Sequence, residues 1–209
     1  MPSLSELLTQ AEQAEQAGNH AAAFDLFSQA CGLRRDAVRA QAGRLRLMML
    51  TADSDGARTL IAEQSGNAGK IVQSANSTLV KAGARDEAAA LVALAYPLLP
   101  DNAIVRFLNG QARLAAKDTD GALDDFRAAT ELPDPPVNAF VRLGGLLRGD
   151  AEITEAIAVC ERGLKLFPDH AGLLGVWGRV LKTAGRPAEA LAVNEKLFAG
   201  APDNPGLLL

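Results

Sequence analysis

Residues 137–170 read VNAFVRLGGLLRGDAEITEAIAVCERGLKLFPDH, and their apolar spacing decides the fold. Phe140, Leu143, Gly144 and Leu147 recur at i, i+3, i+4 and i+7, and after a short polar break Ile153, Ala156, Ile157, Cys160 and Leu164 continue the same period. That is the signature of two amphipathic helices rather than of a strand. Each would run about 14 residues, near 20 Å at 1.5 Å per residue. Pro168 stops the second helix, because proline lacks the N–H that the helical ladder needs.

The stretch recurs along the chain. Ala88, Ala122, Ala156 and Ala190 are each 34 residues apart, in the contexts DEAAALV, DGALDDF, TEAIAVC and AEALAVN. Gly110, Gly144 and Gly178 keep that spacing, as do Pro168 and Pro202, while Pro133, Pro135 and Pro136 close the unit before. Ala23 in HAAAFDLF and Ala57 in DGARTLI are also 34 apart, and the step from Ala57 to Ala88 is three short, which reads as a trimmed loop. A fixed period of this length marks stacked helical hairpins, none of which can bury its apolar faces alone. Glycine inside a helix costs about 1 kcal/mol relative to alanine, so close helix approach is expected at Gly110, Gly144 and Gly178.

These residues make the chain resemble a tetratricopeptide repeat (TPR) array. The matches are Leu143-Gly144, Ala156, Cys160 and Pro168; Trp177-Gly178, Gly185, Ala190 and Pro202; and Gly18, Ala23, Phe27 and Ala30 in the first unit. The resemblance implies an all-α, right-handed superhelical solenoid with first helices lining a concave face and second helices outside. A single domain over 1–209 is expected, with units at 4–37, 38–68, 69–102, 103–136, 137–170 and 171–204, the second of them degenerate. Residues 205–209, PGLLL, fall where Ala171–Gly175 opens the sixth unit and read as the start of a truncated seventh. The expectation is therefore the N-terminal module of a larger protein, and a surplus of Arg over Lys with abundant Ala points to a bacterial source.

Composition narrows the function. With 48% hydrophobic and 22% charged residues in 209, the chain has enough apolar material for an extended core. No apolar run approaches the roughly 18 residues of a membrane span. The start, MPSLSELLTQAEQAEQ, places Glu6 and Glu12 where a leader would need a basic and then unbroken apolar stretch, so a mature, cytoplasmic chain is expected. A net charge of −4 argues against nucleic acid as partner. Cys31 and Cys160 sit in Ala-rich helical patterns and read as buried, reduced thiols. His20 and His170 fall at separate inter-helix turns, and no constellation has metal-ligand spacing. Asp124 and Asp125 lie on an exposed flank rather than as a catalytic pair. The expectation is a segment with no enzymatic role, no metal and no cofactor.

Charge segregation is the sharper feature. In units two to six the first helices carry cations and no Asp or Glu across 38–51, 69–82, 103–116, 137–149 and 171–184. If those helices face inward, a net-acidic protein holds a basic groove that would steer an acidic or carboxylate-bearing peptide. Helical phase selects Arg39, Arg46, Asn138, Arg142, Arg148, Arg179 and Lys182 as groove candidates, and unit four adds Phe107, Leu108, Gln111 and Leu114, an apolar patch beside the cations. Unit four also departs from the pattern. Arg106, Asn109 and Arg113 occupy its core stripe, so either that helix is rotated or these side chains reach solvent by their stems.

The resemblance also permits tests against subclasses. A chaperone-tail clamp would need paired Lys and Asn where this chain has Phe107, Val141 and Gly175, then Gln111, Gly145 and Arg179. An asparagine ladder would occupy Ser74, Leu108, Arg142 and Val176. Neither pattern is met. The expected function is a non-catalytic protein–protein interaction module for an acidic partner. Two alternatives stand beside it: a substrate-recruiting arm of a larger sulfotransferase, glycosyltransferase or iron/2-oxoglutarate oxygenase, and a scaffold that self-associates through its C-terminal end.

Overall fold

A computed structural model describes residues 2–34, 37–64, 66–147 and 152–200, with residues 198–200 described by backbone alone. The described residues form twelve helices and no strand. These are α1 Leu4–Gln16, α2 His20–Leu33, α3 Val38–Leu50, α4 Ser54–Glu63, α5 Ala68–Lys81, α6 Arg85–Leu98, α7 Ala103–Ala115, α8 Thr119–Glu131, α9 Val137–Leu146, α10 Ile153–Leu166, α11 Ala171–Thr183 and α12 Pro187–Gly200. They divide between two compact units, Met1–Ala112 and Arg113–Leu209. Arg148 and the 205–209 segment lie outside the described residues.

Local chemistry sets the helix ends. Ser3 and Glu6 make a reciprocal capping box on α1, the Ser3 hydroxyl accepting from the Glu6 N–H at 3.2 Å and the Glu6 carboxylate from the Ser3 N–H at 2.7 Å. The Ser3 backbone N–H, and after it the Ser3 hydroxyl, hold the Glu6 carboxyl below its ordinary pKa. Asn19, Asp53 and Asp118 cap α2, α4 and α8 by accepting from the N–H three residues on. His170 does the same for α11 through Nδ1, 3.2 Å from the Leu173 N–H. The hairpin turns share one device: Gly18, Ala52, Gly83, Lys117 and Gly185 all have positive φ at the same place after the first helix. The following N–H then reaches back five residues, as in Asn19 to Ala14, Asp53 to Met48, Ala84 to Leu79, Asp118 to Arg113 and Arg186 to Leu181.

Packing explains the period. Ala23, Ala57, Ala88, Ala122, Ala156 and Ala190 are all buried, and Phe27, Ile61, Val92, Phe126 and Cys160 are buried four residues further on. A small residue admits the neighbouring helix and the large one fills the gap behind it. Each fully buried Phe contributes about 1.5–3 kcal/mol. In the first unit α1 packs on α2, and α3 packs on α2, α4, α5 and α6. In the second, α9 packs on α8, α10 and α11, and α11 on α10 and α12. Gly144 marks one close approach: a Cβ there would stand 3.0 Å from Val176 Cγ1 and 3.2 Å from Cys160 Sγ.

α7 resolves the alternatives left by its sequence. Val105, Phe107, Leu108 and Gly110 form its buried face, so the helix is turned relative to the expected stripe. Arg106, Asn109 and Arg113 are half-buried. The Arg106 guanidinium donates to the Pro100 carbonyl at 2.8 Å and to the Tyr96 hydroxyl, and lies 4.8 Å from the Tyr96 ring centroid. Arg113 reaches Asp125 at 3.3 Å and donates to the Gly121 carbonyl at 3.2 Å, and Asp125 is buried rather than on the exposed flank expected from the sequence. In the second unit, Trp177 carries a comparable stack, with the Arg186 guanidinium 5.8 Å from its ring.

Candidate functional site

In the first unit α1, α2, α3 and α5 enclose a pocket of about 590 Å³. Glu12, Glu15 and Gln16 come from α1, Arg39, Arg46 and Leu50 from α3, and Ser74 and Thr78 from α5. Phe27 and His20 of α2, with Ala82 at the end of α5, complete the lining. The spacing follows from helical phase: residues three, four and seven apart present to one side, so each helix offers a short column of side chains.

The cations here are compensated. Arg39 donates bidentately to Glu12, Nε to Oε1 at 2.8 Å and Nη2 to Oε2 at 2.7 Å. This pair is open to water, with side-chain exposures of 63% and 35%. Arg46 makes the same fork with Glu15 but in shelter, at 9% and 17%, and its guanidinium stands 5.8 Å from the Phe27 ring. Sequence phase selected Arg39 and Arg46, and the structure brings them to one pocket. It was blind to Glu12 and Glu15, because the acid-free rule was drawn on units two to six. The signal was present in α1, the one first helix that carries acids.

The cations of the second unit stand differently. Arg142 on α9 and Arg179 and Lys182 on α11 are exposed and form no ion pair among the described residues. Arg179 borders a second pocket of about 330 Å³, walled by Gly144, Gly145, Leu147, Val176 and Val180. Asn138 is exposed on α9, Gln111 is half-buried, and Phe107 is buried at 4%. None of these three borders either pocket. Second helices of this unit are joined by an ion pair instead: Arg127 of α8 forks onto Glu155 of α10 at 2.7 and 3.0 Å, which lowers the Glu155 pKa and raises that of Arg127.

Both cysteines are free, Cys160 buried as expected and Cys31 only half-buried. Burial pushes the Cys160 thiol up to about 12, and it raises Cys31 as well, with Arg44 opposing. Among the described residues no group of three His, Cys, Asp or Glu could hold a metal ion, and no helix is long and apolar enough to cross a membrane.

No family model matches this chain, and no curated protein sequence does either. Solved structures do match. The YrrB structure, described as a TPR protein with an unusual peptide-binding site, superposes with a TM-score of 0.55 at 18% identity, over 87% of this chain and 95% of that one. The chain has the tetratricopeptide repeat fold. PilF of Pseudomonas aeruginosa matches this TPR chain at a TM-score of 0.58 and 16% identity, over 96% and 93% of the two chains. The APC/C hetero-tetramer Cut9–Hcn1 matches at 0.60 and 15%, over 98% of this chain, which spans 41% of the length of that one.

Proposed function

We propose that the chain is a non-catalytic protein–protein interaction module that holds an acidic peptide or domain on the first helices of its second unit. The observation that carries this is the set of uncommitted cations, Arg142, Arg179 and Lys182, exposed on α9 and α11, with Arg179 bordering a pocket that Leu147, Ile153, Val176 and Val180 help to wall. A guanidinium with no internal carboxylate is ready to fork onto an external one. The pocket next to Arg179 would take an adjoining side chain and exclude water from that contact. Asn138 extends the same surface. The fold supports the reading, since YrrB is described as having a peptide-binding site.

The test is charge reversal. Arg142→Glu with Arg179→Glu abolishes binding of fluorescein-labelled octaglutamate in an anisotropy titration and leaves helicity unchanged. Binding by the unaltered chain weakens as salt rises from about 50 to about 300 mM, because the Debye length over which exposed charges act falls from about 14 to about 6 Å. Affinity indifferent to both the double substitution and salt overturns the proposal.

A further inference from the structure

The pocket of the first unit differs in kind from the cationic surface of the second, because its charges cancel in place. Arg39 forks onto Glu12 in the open and Arg46 onto Glu15 in shelter. A carboxylate brought to the free edge of Arg46 would stand beside the Glu15 carboxylate, and an ammonium brought to Glu15 would stand beside Arg46. In a sheltered place either like-charge approach is costly. A ligand that took Arg46 outright would strand Glu15 desolvated and unpaired. The pocket therefore favours an occupant without charge.

Hydrogen-bonding capacity remains on every pair. A guanidinium has five N–H donors, and each fork engages the Nε–H and one on Nη2. Arg46 is only 7% exposed, yet its Nη1 group meets no acceptor among the described residues, which leaves the polar hydrogens of a nearly buried side chain to whatever fills the pocket. Each carboxylate likewise keeps lone pairs beyond the two engaged. A donor edge and an acceptor edge are thus fixed side by side. Adjacent hydroxyls on one carbon skeleton match that arrangement, since each can donate to the carboxylate and accept from the guanidinium while carrying no charge. The Thr78 hydroxyl already donates to the Ser74 carbonyl at 3.0 Å and so faces a ligand as an acceptor, and Gln16 adds an amide. Leu50 and Ala82 offer apolar surface to C–H groups. We propose that this pocket binds a neutral carbohydrate through its adjacent hydroxyls, one set on Arg46 and Glu15 and another on Arg39 and Glu12. Arg39 and Arg46 are two helical turns apart on α3, about 10 Å of rise, which matches two linked sugar rings better than one. The volume, about 590 Å³, lies within the range of pockets that hold small molecules.

The experiment titrates the full chain by calorimetry with maltose, cellobiose, lactose and trehalose, and with L-glutamine as a zwitterion. At least one disaccharide is expected to bind, with an affinity that changes less than about twofold between about 50 and about 300 mM salt, because the ligand brings no charge to be screened. Its per-O-methylated form keeps the rings but lacks the donors, and is expected not to bind. Arg39→Ala with Glu12→Ala removes the open pair and weakens binding at least about fivefold, the yield of one or two hydrogen bonds, with helicity unchanged. Arg142→Glu with Arg179→Glu leaves the disaccharide affinity as it was. Failure of the acidic-partner reading therefore shows separately, as octaglutamate binding that survives that double variant. The proposal is overturned if none of the four disaccharides binds, if L-glutamine binds more tightly than all of them, or if the affinity survives either methylation or the loss of Arg39 and Glu12.

Discussion

Gly43→Ala and Gly145→Ala are the same substitution inside first helices, and they should move stability in opposite directions. A Cβ on Gly43 would lie 2.6 Å from three ring atoms of Phe27. That ring is 1% exposed, so it has no open side into which to withdraw. Reaching ordinary contact at 3.4 Å requires a shift of about 0.8 Å between α2 and α3. Overpacking of this kind costs about 1–3 kcal/mol, and the gain in helix propensity returns about 1. With a rigid, enclosed ring the upper part of the range applies, leaving a net loss of about 2 kcal/mol. Gly145 has nothing within 4 Å of the added carbon, so only the propensity gain remains. At about 2–4 °C per kcal/mol for a chain of this size, Gly43→Ala lowers the melting temperature by about 4–8 °C and Gly145→Ala raises it by about 2–4 °C. Circular dichroism at the helical band measures both. A Phe27→Leu background should recover at least about 1 kcal/mol of the Gly43→Ala loss in a double-mutant cycle. Shifts of the same sign for the two glycines, or no coupling to Phe27, would refute the reasoning.

Three further outcomes follow from the geometry. Lys117→Gly relieves a left-handed turn at φ 66, so it should leave stability unchanged or raise it by up to about 1 kcal/mol, whereas Lys117→Val at the same place should destabilise; urea midpoints decide. Arg46→Gln strands Glu15 in a sheltered site and should cost about 3 kcal/mol or more, whereas Arg39→Gln at the exposed pair should cost about 1 or less, so similar losses would contradict the burial contrast. Cys160, held near 12 by burial, cannot ionise in the folded chain as its unfolded counterpart does from about 9.0 upward. Its contribution is therefore complete below pH 9 and is lost as pH rises toward 12. In a Cys31→Ser chain at pH 8, thiol labelling should proceed only as fast as the protein opens.

The fold was legible because its decisive requirement is steric and local in register. A small residue must recur wherever a helix crosses its neighbour, and the six alanines from Ala23 to Ala190 state that directly. The last hairpin shows where the pattern loosens: Asn194 occupies the place of Phe126 and Cys160 but is exposed, with its Oδ1 2.8 Å from where a Cβ on Gly178 would stand. The candidate site was less legible, because the state of a cation depends on a partner that sequence distance hides. Arg39 and Glu12 are 27 residues apart and Arg46 and Glu15 are 31 apart, so no local pattern joins them. Phase alone placed Arg39 and Arg46 with Arg142 and Arg179, although the first two are already bonded. In α7 the same limit applied, since Arg106 meets Tyr96 and Pro100, and Arg113 meets Asp125, only in the folded chain.

The two aromatic stacks have a practical consequence. The chain contains one Trp and one Tyr. Trp177 with its Arg186 stack belongs to the second unit, and Tyr96 with its Arg106 stack belongs to the first. Indole emission, excited where phenol does not absorb, therefore reads the melting of one half of the molecule with no label attached. The backbone signal sums over both halves. Where the two curves coincide, the repeats melt as one cooperative body; where they separate, the interval between them measures how independently each half comes apart.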